Sequence, residues 1–226
     1  MTDHRFTLLD ALTAVLIAGL AAAAAWIAVA GPSGPVPMHF DAAMQPDRWG
    51  DRSELAMLIG FMAVMTAVTA GGMGRFAARA VEPSRRRGLR VGQLVSLLAI
   101  GGASVLILWA SLSHSEGAAP PVAGLGMALT GLIFAVTGAF LGRVAPNPLV
   151  GVRTPWAFKS RLAWDRSNRL AGRLFFWLGV LAVVAAPFAP QPAGIIVVVV
   201  GVLIAALWSI VESWRVWRTD PDRQPF

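Results

Sequence analysis

The side chains best suited to ligand binding in the first half of the chain lie in one segment, residues 31–53. The segment reads GPSGPVPMHFDAAMQPDRWGDRS, and its prolines favour an extended chain over a helix. It combines an imidazole with carboxylates and aromatic rings. The candidate ligand-binding residues are His39, Phe40, Asp41, Asp47 and Trp49.

Three interpretations of this segment are open. His39, Asp41 and Asp47 are of types that bind metal ions, but the chain has only 3 histidines and no second one lies nearby. The acidic groups together with Trp49 suit a cationic peptide. Alternatively, Phe40 and Trp49 pack on helix ends and His39 makes only local hydrogen bonds. We predict a ligand-binding segment without a metal ion or any other cofactor.

The second segment with chemical character, residues 143–173, reads RVAPNPLVGVRTPWAFKSRLAWDRSNRLAGR. Two prolines and a glycine keep its first part irregular, and Thr154 followed by Pro155 is a typical helix start. Apolar side chains then alternate with basic ones, which predicts an amphipathic basic helix at the membrane interface. Such a helix binds anionic lipid headgroups or offers a surface to a protein partner, and both interpretations are open.

Membrane-spanning helices must position these two segments. Apolar residues make up 56% of the chain and charged residues 14%, unlike a soluble domain. A spanning helix needs roughly 20 mostly apolar residues. The predicted fold class is therefore all-α, a polytopic membrane protein with six transmembrane helices and the amphipathic helix before span five. The predicted spans are residues 8–30, 54–74, 91–112, 122–142, 172–189 and 193–211.

The basic residues orient these spans. The chain has 19 lysines and arginines, and all but Arg48 and Arg52 lie in the two terminal tails, in the second loop, or in the fourth loop together with the start of span five. Because lysine and arginine remain on the cytoplasmic side, both termini are predicted to be cytoplasmic, in a bacterial cytoplasmic membrane. A cleavage site after Ala30 would change this topology, but the preceding apolar stretch is too long for a typical signal peptide.

The spans carry little that could perform catalysis or transport. No charged residue lies in the middle of a predicted span, which argues against a proton pump or an intramembrane aspartyl protease. The chain has no cysteine, no zinc-protease motif and no nucleotide-binding loop. We therefore predict that the protein is not an enzyme. The topology explains its net charge of +7, so direct nucleic-acid binding is not predicted either.

The second segment also carries a family resemblance. The run NPLVGVRTPW at residues 147–156 and the side chains that follow it resemble the signature of the SdpI family of bacterial membrane immunity proteins. The motif residues are Asn147, Pro148, Gly151, Arg153, Thr154, Pro155, Trp156, Lys159, Trp164, Asn168 and Arg169. PMHFD at residues 37–41 and PDRWG at residues 46–50 resemble a short domain of unknown function that often precedes this signature.

The resemblance implies a six-span protein that protects its cell from a secreted antimicrobial peptide toxin. It also implies signalling, in which a transcriptional repressor is held at the membrane. The first segment would then contact the toxin outside the cell, and the motif would contact the repressor inside. We divide the chain into residues 1–60, 61–139 and 140–226. The alternatives are a small-solute transporter or channel, or a non-catalytic membrane scaffold.

Overall fold

The computed structural model describes residues 6–40, 46–114, 122–146 and 150–225. Six helices in it are long and apolar enough to cross a membrane, which confirms the predicted all-α polytopic fold. Two of the six contain a π turn, at Ala67–Gly71 and at Leu97–Gly101. The helices are α1 (Leu8–Ala30), α2 (Arg52–Thr66), α3 (Gly72–Arg79), α4 (Pro83–Ser96), α5 (Gly102–His114), α6 (Val122–Leu141), α7 (Pro155–Phe158), α8 (Arg161–Ala185) and α9 (Ala193–Thr219).

Capping residues explain where these helices begin. Asp51 caps α2, and its carboxylate accepts a hydrogen bond from the Glu54 backbone nitrogen at 2.9 Å. Pro83 occupies the first turn of α4, a position that tolerates its missing N–H group. The helix that contains the third span therefore begins earlier than residue 91, where the span was predicted to begin. The fifth and sixth spans also extend into the predicted cytoplasmic loop and tail.

The helix predicted before span five differs from the observed one. Thr154 does start a helix, but α7 is only one turn long. The Ser160 hydroxyl then accepts a hydrogen bond from the Ala163 backbone nitrogen at 2.9 Å and caps a second helix. This helix, α8, runs from Arg161 through the membrane span without a break. The basic residues thus belong to the first turns of a spanning helix, not to a separate amphipathic helix.

The spans pack in two groups that α4 and α5 connect. One group contains α1 and α2, and the other contains α6, α8 and α9. Both α4 and α5 contact α6; α4 also contacts α1, and α5 packs against the apolar cluster of the first group. In the second group, small residues let backbones approach closely. A Cβ atom on Gly138 of α6 would lie 2.6 Å from the carbonyl oxygen of Gly172 of α8. A Cβ atom on Gly142 would likewise lie 3.2 Å from the Cα of Arg169.

Hydroxyl groups inside the spans bond to the helices that carry them. Thr66, Thr69, Ser104 and Thr137 each donate a hydrogen bond of 2.7–2.8 Å to the carbonyl oxygen four residues earlier. Such bonds satisfy a hydroxyl group in an apolar setting without creating a path for solute.

Candidate functional site

The first segment folds into a two-stranded hairpin, β1 (Val36–Phe40) and β2 (Pro46–Gly50), paired antiparallel with an irregular register. Val36 is buried and belongs to the apolar cluster that α1 and α2 form, and Met38 packs against the same cluster. The strand β1 also contacts α5. The hairpin is thus seated on the ends of the first three spans by its own apolar side chains.

The polar side chains of the hairpin remain exposed. The His39 imidazole Nδ1 is hydrogen-bonded to the Asp47 carboxylate at 2.6 Å, across the two strands. Trp49 is 47% exposed, so Val36 and Met38 take the packing role that one interpretation gave to Trp49. Arg48 forms an ion pair with Glu54. Three of the five candidate residues therefore share one exposed strand pair.

The other two candidates in this segment cannot be placed in the same way. Asp41 and the Phe40 side chain lie outside the described part of the chain. Among the residues that the structure does describe, no three His, Asp or Glu side chains are grouped closely enough to hold a metal ion.

At the other end of the bundle, Asn168 joins the loop before α7 to α8. Its side-chain oxygen accepts a hydrogen bond from the Val152 backbone nitrogen at 2.7 Å, and its amide nitrogen donates to the Trp164 carbonyl at 2.9 Å. Gly151 turns the loop with a φ of 126°, which favours glycine, and a Cβ atom there would lie 2.7 Å from the Asn168 oxygen. The Asn168 side chain therefore lies where any side chain larger than that of Gly151 would collide with it.

Trp164 fills the space beneath this loop. Its side chain is fully buried, and its indole nitrogen donates to the Val144 carbonyl at 2.8 Å, which joins α8 to the segment after α6. Its ring also packs against Phe158 of α7 with a centroid distance of 5.6 Å. A buried indole with its donor satisfied is a rigid support for the surrounding backbone.

Hydroxyl groups connect the same region to the end of α9. Thr154, the cap of α7, shares a hydrogen bond with Ser213, and Ser160, the cap of α8, donates one to Asp220. All four side chains are buried. The Lys159 carbonyl, between α7 and α8, accepts from the Gln224 backbone nitrogen at 2.7 Å. The C-terminal segment is thereby fixed against the motif.

The motif thus separates into a buried frame and an exposed surface. Thr154, Trp164 and Asn168 are buried and form internal bonds. The remaining described members lie at or near the surface. Arg153, Pro155 and Arg169 are exposed, whereas Gly151, Trp156 and Lys159 are partly exposed. Asn147 and Pro148 lie outside the described residues.

An open cavity of about 840 Å³ lies beside this frame. Its walls come from α6, α8 and α9 and are mainly apolar, with Leu141, Phe175 and Ile210 among them. Arg153 and Thr154 supply polar groups on the side of the loop. Its mainly apolar walls with a few polar groups suit the binding of an apolar or amphipathic group.

One polar cluster was missed by the sequence reasoning. Arg90 of α4 forms an ion pair with Asp10 of α1 at 2.5 Å and donates to Gln93 at 2.7 Å. The buried Gln93 amide in turn donates to the Thr13 hydroxyl at 3.0 Å. Thr7 and Asp10 form a capping box at the start of α1, a sequence signal that marks Asp10 as structured. No local signal pairs it with residues 80 positions later.

Known proteins are similar to this chain in the region that contains the motif. Residues 143–213 match the SdpI/YfhL protein family, and this range contains every motif residue described above. This part of the chain is therefore similar to the SdpI/YfhL family. The immunity protein SdpI of Bacillus subtilis (strain 168) is 28% identical over 97 residues, which are 43% of this chain and 45% of the relative. The chain thus spans less than half the length of this curated relative. No solved structure matches.

Proposed function

We propose that this membrane protein is an immunity protein, which protects the cell that makes it from a secreted antimicrobial peptide toxin. The observation that carries the proposal is the match to the SdpI/YfhL family, because it covers residues 143–213 and hence the whole hydrogen-bonded motif. The curated relative, by its name an immunity protein, supports the same role. The proposed role requires neither catalysis nor a cofactor.

In the proposed topology both termini are cytoplasmic and the hairpin is outside the cell. The distribution of arginine supports this orientation. Because the chain lacks cysteine, one introduced thiol reports one position. A membrane-impermeant maleimide added to intact cells should label Ser33→Cys, beside the hairpin, and should not label Val81→Cys, which is 86% exposed between α3 and α4. The reverse result would contradict the orientation.

The hairpin is the proposed toxin contact. Asp47 and Trp49 offer a carboxylate and a half-exposed indole, groups that suit a cationic, partly apolar peptide. The Glu54 carboxylate pairs with Arg48 and thereby offsets the positive charge of Arg48 beside this contact. His39 is held against Asp47 and orients its carboxylate. Phe40 and Asp41 belong to the same proposed contact by their positions in the sequence.

The motif is the proposed site of the cytoplasmic partner, a transcriptional repressor held at the membrane. Its buried members support the backbone, so binding falls to the exposed ones. Arg153, on the loop that Asn168 and Trp164 hold in place, and the half-exposed Phe158 of α7 both lie beside the open cavity. A charged group next to an apolar recess suits an acidic, apolar protein surface.

A mixed culture tests the immunity role. A deletion strain is grown with its parent, and survival and membrane potential are measured in the deleted cells. We expect the deleted cells to depolarise and die, and plasmid-borne protein to rescue them. Equal survival of the two strains, while the parent makes the protein, would contradict the proposal.

Variants then assign the two sites. Rescue should fail with Asp47→Asn combined with Trp49→Ala and should persist with Ser33→Ala, an exposed control beside the hairpin. Repressor-dependent transcription should stop responding in Arg153→Ala but respond normally in Arg161→Ala, a nearby exposed arginine that pairs with Asp165. Normal behaviour of the Asp47/Trp49 or the Arg153 variant in its assay removes the role given to that site.

A further inference from the structure

Three arginines surround a cleft between the end of α6 and the first half of α8. The cleft has a volume of about 350 Å³, and Arg143, Arg169 and Arg173 line its polar part. All three side chains are exposed. The floor is made of Gly138, Ala139, Gly142 and Gly172, where the two helices lie too close for larger side chains.

The charge of this cleft is unbalanced. None of the residues that line it is acidic. Arg169 donates through Nε to the backbone carbonyl of Asp165 at 3.2 Å, and within the described residues Arg143 and Arg173 form no ion pair. Glu212 lines an adjoining cleft with Arg166, Arg169 and Arg173, and the ion pair it forms there is with Arg215, at 3.9 Å. An anion would therefore find guanidinium groups on several sides.

The apolar end of the same cleft continues into the membrane-facing surface. Phe176 and Trp177 line it, and Trp177 is 61% exposed. Arg173, Trp177 and Leu181 follow one another at four-residue spacing, so they lie on one face of α8. Leu181 is 62% exposed, as expected of a side chain that contacts lipid. A bound molecule would meet positive charge at one end and an apolar helix surface at the other.

We propose that this cleft is a binding site for one anionic phospholipid, with its phosphate held by Arg143, Arg169 and Arg173 and its acyl chains lying along Trp177 and Leu181. The continuity of the arginines with the lipid-facing surface distinguishes a lipid from a soluble phosphate, which would need no apolar end. One guanidinium group can donate hydrogen bonds to two phosphate oxygens at once, and it tolerates partial burial. The proposal is independent of the immunity role.

Native mass spectrometry of the full chain in detergent resolves single lipid adducts. Dioleoyl phosphatidylglycerol is titrated, and the apparent Kd of the first adduct is compared with that of dioleoyl phosphatidylcholine. An arginine near a lipid surface contributes a factor of about five. We expect Arg173→Gln to raise the Kd for phosphatidylglycerol about fivefold. Arg75→Gln, an exposed arginine at the same predicted side of the membrane, should leave it unchanged.

Further measurements distinguish a bound lipid from bound inorganic phosphate and provide a second variant in case the first does not fold. Arg173→Lys keeps the charge but loses the paired guanidinium contacts, so its Kd should lie between those of the wild type and Arg173→Gln. Arg143→Gln replaces Arg173→Gln if the latter does not fold. Millimolar inorganic phosphate should not displace the lipid. Equal affinity for phosphatidylcholine, equal effects of Arg173→Gln and Arg75→Gln, or displacement by inorganic phosphate would each overturn the proposal.

Discussion

The clearest test of the motif as a structural frame is the change Asn168→Ala. It removes two hydrogen bonds, one from the Val152 backbone nitrogen at 2.7 Å and one to the Trp164 carbonyl at 2.9 Å. The Trp164 carbonyl also accepts from Ser167, so only the Val152 nitrogen loses its side-chain partner. At about 1 kcal/mol for each bond, the free energy of unfolding falls by about 2 kcal/mol.

The neighbouring Ser167 provides the matched control. It is equally buried, and its hydroxyl donates to the carbonyls of Ala163 and Trp164 in its own helix. Because Ser167→Ala leaves the loop contact intact, it should cost less than about 1 kcal/mol.

Thermal unfolding in detergent, followed by the fluorescence of the 9 tryptophans, measures both variants. For a chain of this size, about 2 kcal/mol corresponds to a fall in Tm of about 4–8 °C. We expect that fall for Asn168→Ala and a fall of less than about 4 °C for Ser167→Ala. Equal Tm values for the two variants would refute the claim that Asn168 holds the loop to α8.

Three further predictions follow from the packing and the ion pairs. Gly138→Ala should lower Tm, because the added Cβ would overlap α8, whereas Gly126→Ala in the same helix meets nothing within 4 Å and should be neutral; similar Tm values would contradict this packing argument. Asp10→Asn and Arg90→Gln should show a coupling of about 1–3 kcal/mol in a double-mutant cycle of thermal unfolding, and additive effects would show that their 2.5 Å contact contributes nothing. Asp47→Asn alone should change stability by less than about 1 kcal/mol, because its pair with His39 is exposed, and a larger loss would make the hairpin pair structural.

The spans were predictable because their signal is local. Length and hydropathy identify a spanning helix without knowledge of its neighbours, and the caps at Asp51 and Thr154 use residues within one turn. The break at Lys159 was missed although Ser160 is a good N-cap residue. The alternation of apolar and basic side chains on both sides of the break resembles one continuous amphipathic helix, and this stronger pattern concealed the cap.

The hairpin and the buried roles of the motif were harder to predict. Proline in a strand argues against pairing, yet Pro37 and Pro46 both lie in the hairpin, whose register is irregular. From the sequence alone, Trp164 resembles an interfacial tryptophan. Its burial becomes visible only through partners from other segments, such as the Val144 carbonyl. Contacts between distant segments decide both features, and a residue pattern within one segment does not contain them.

The two proposed sites rest on different helices, and this makes their functions separable. The hairpin is seated on α1, α2 and α5, whereas the motif is built on α8 and α9. Toxin protection and repressor binding should therefore be lost independently when each site is altered. Among the described residues, the third span, formed by α4, its π turn and α5, contacts β1 and α1 in the first group and α6 in the second. If changing one site abolishes both functions, this span is the first element to test for coupling, because it contacts the hairpin and also contacts α6, which packs against α8 of the motif.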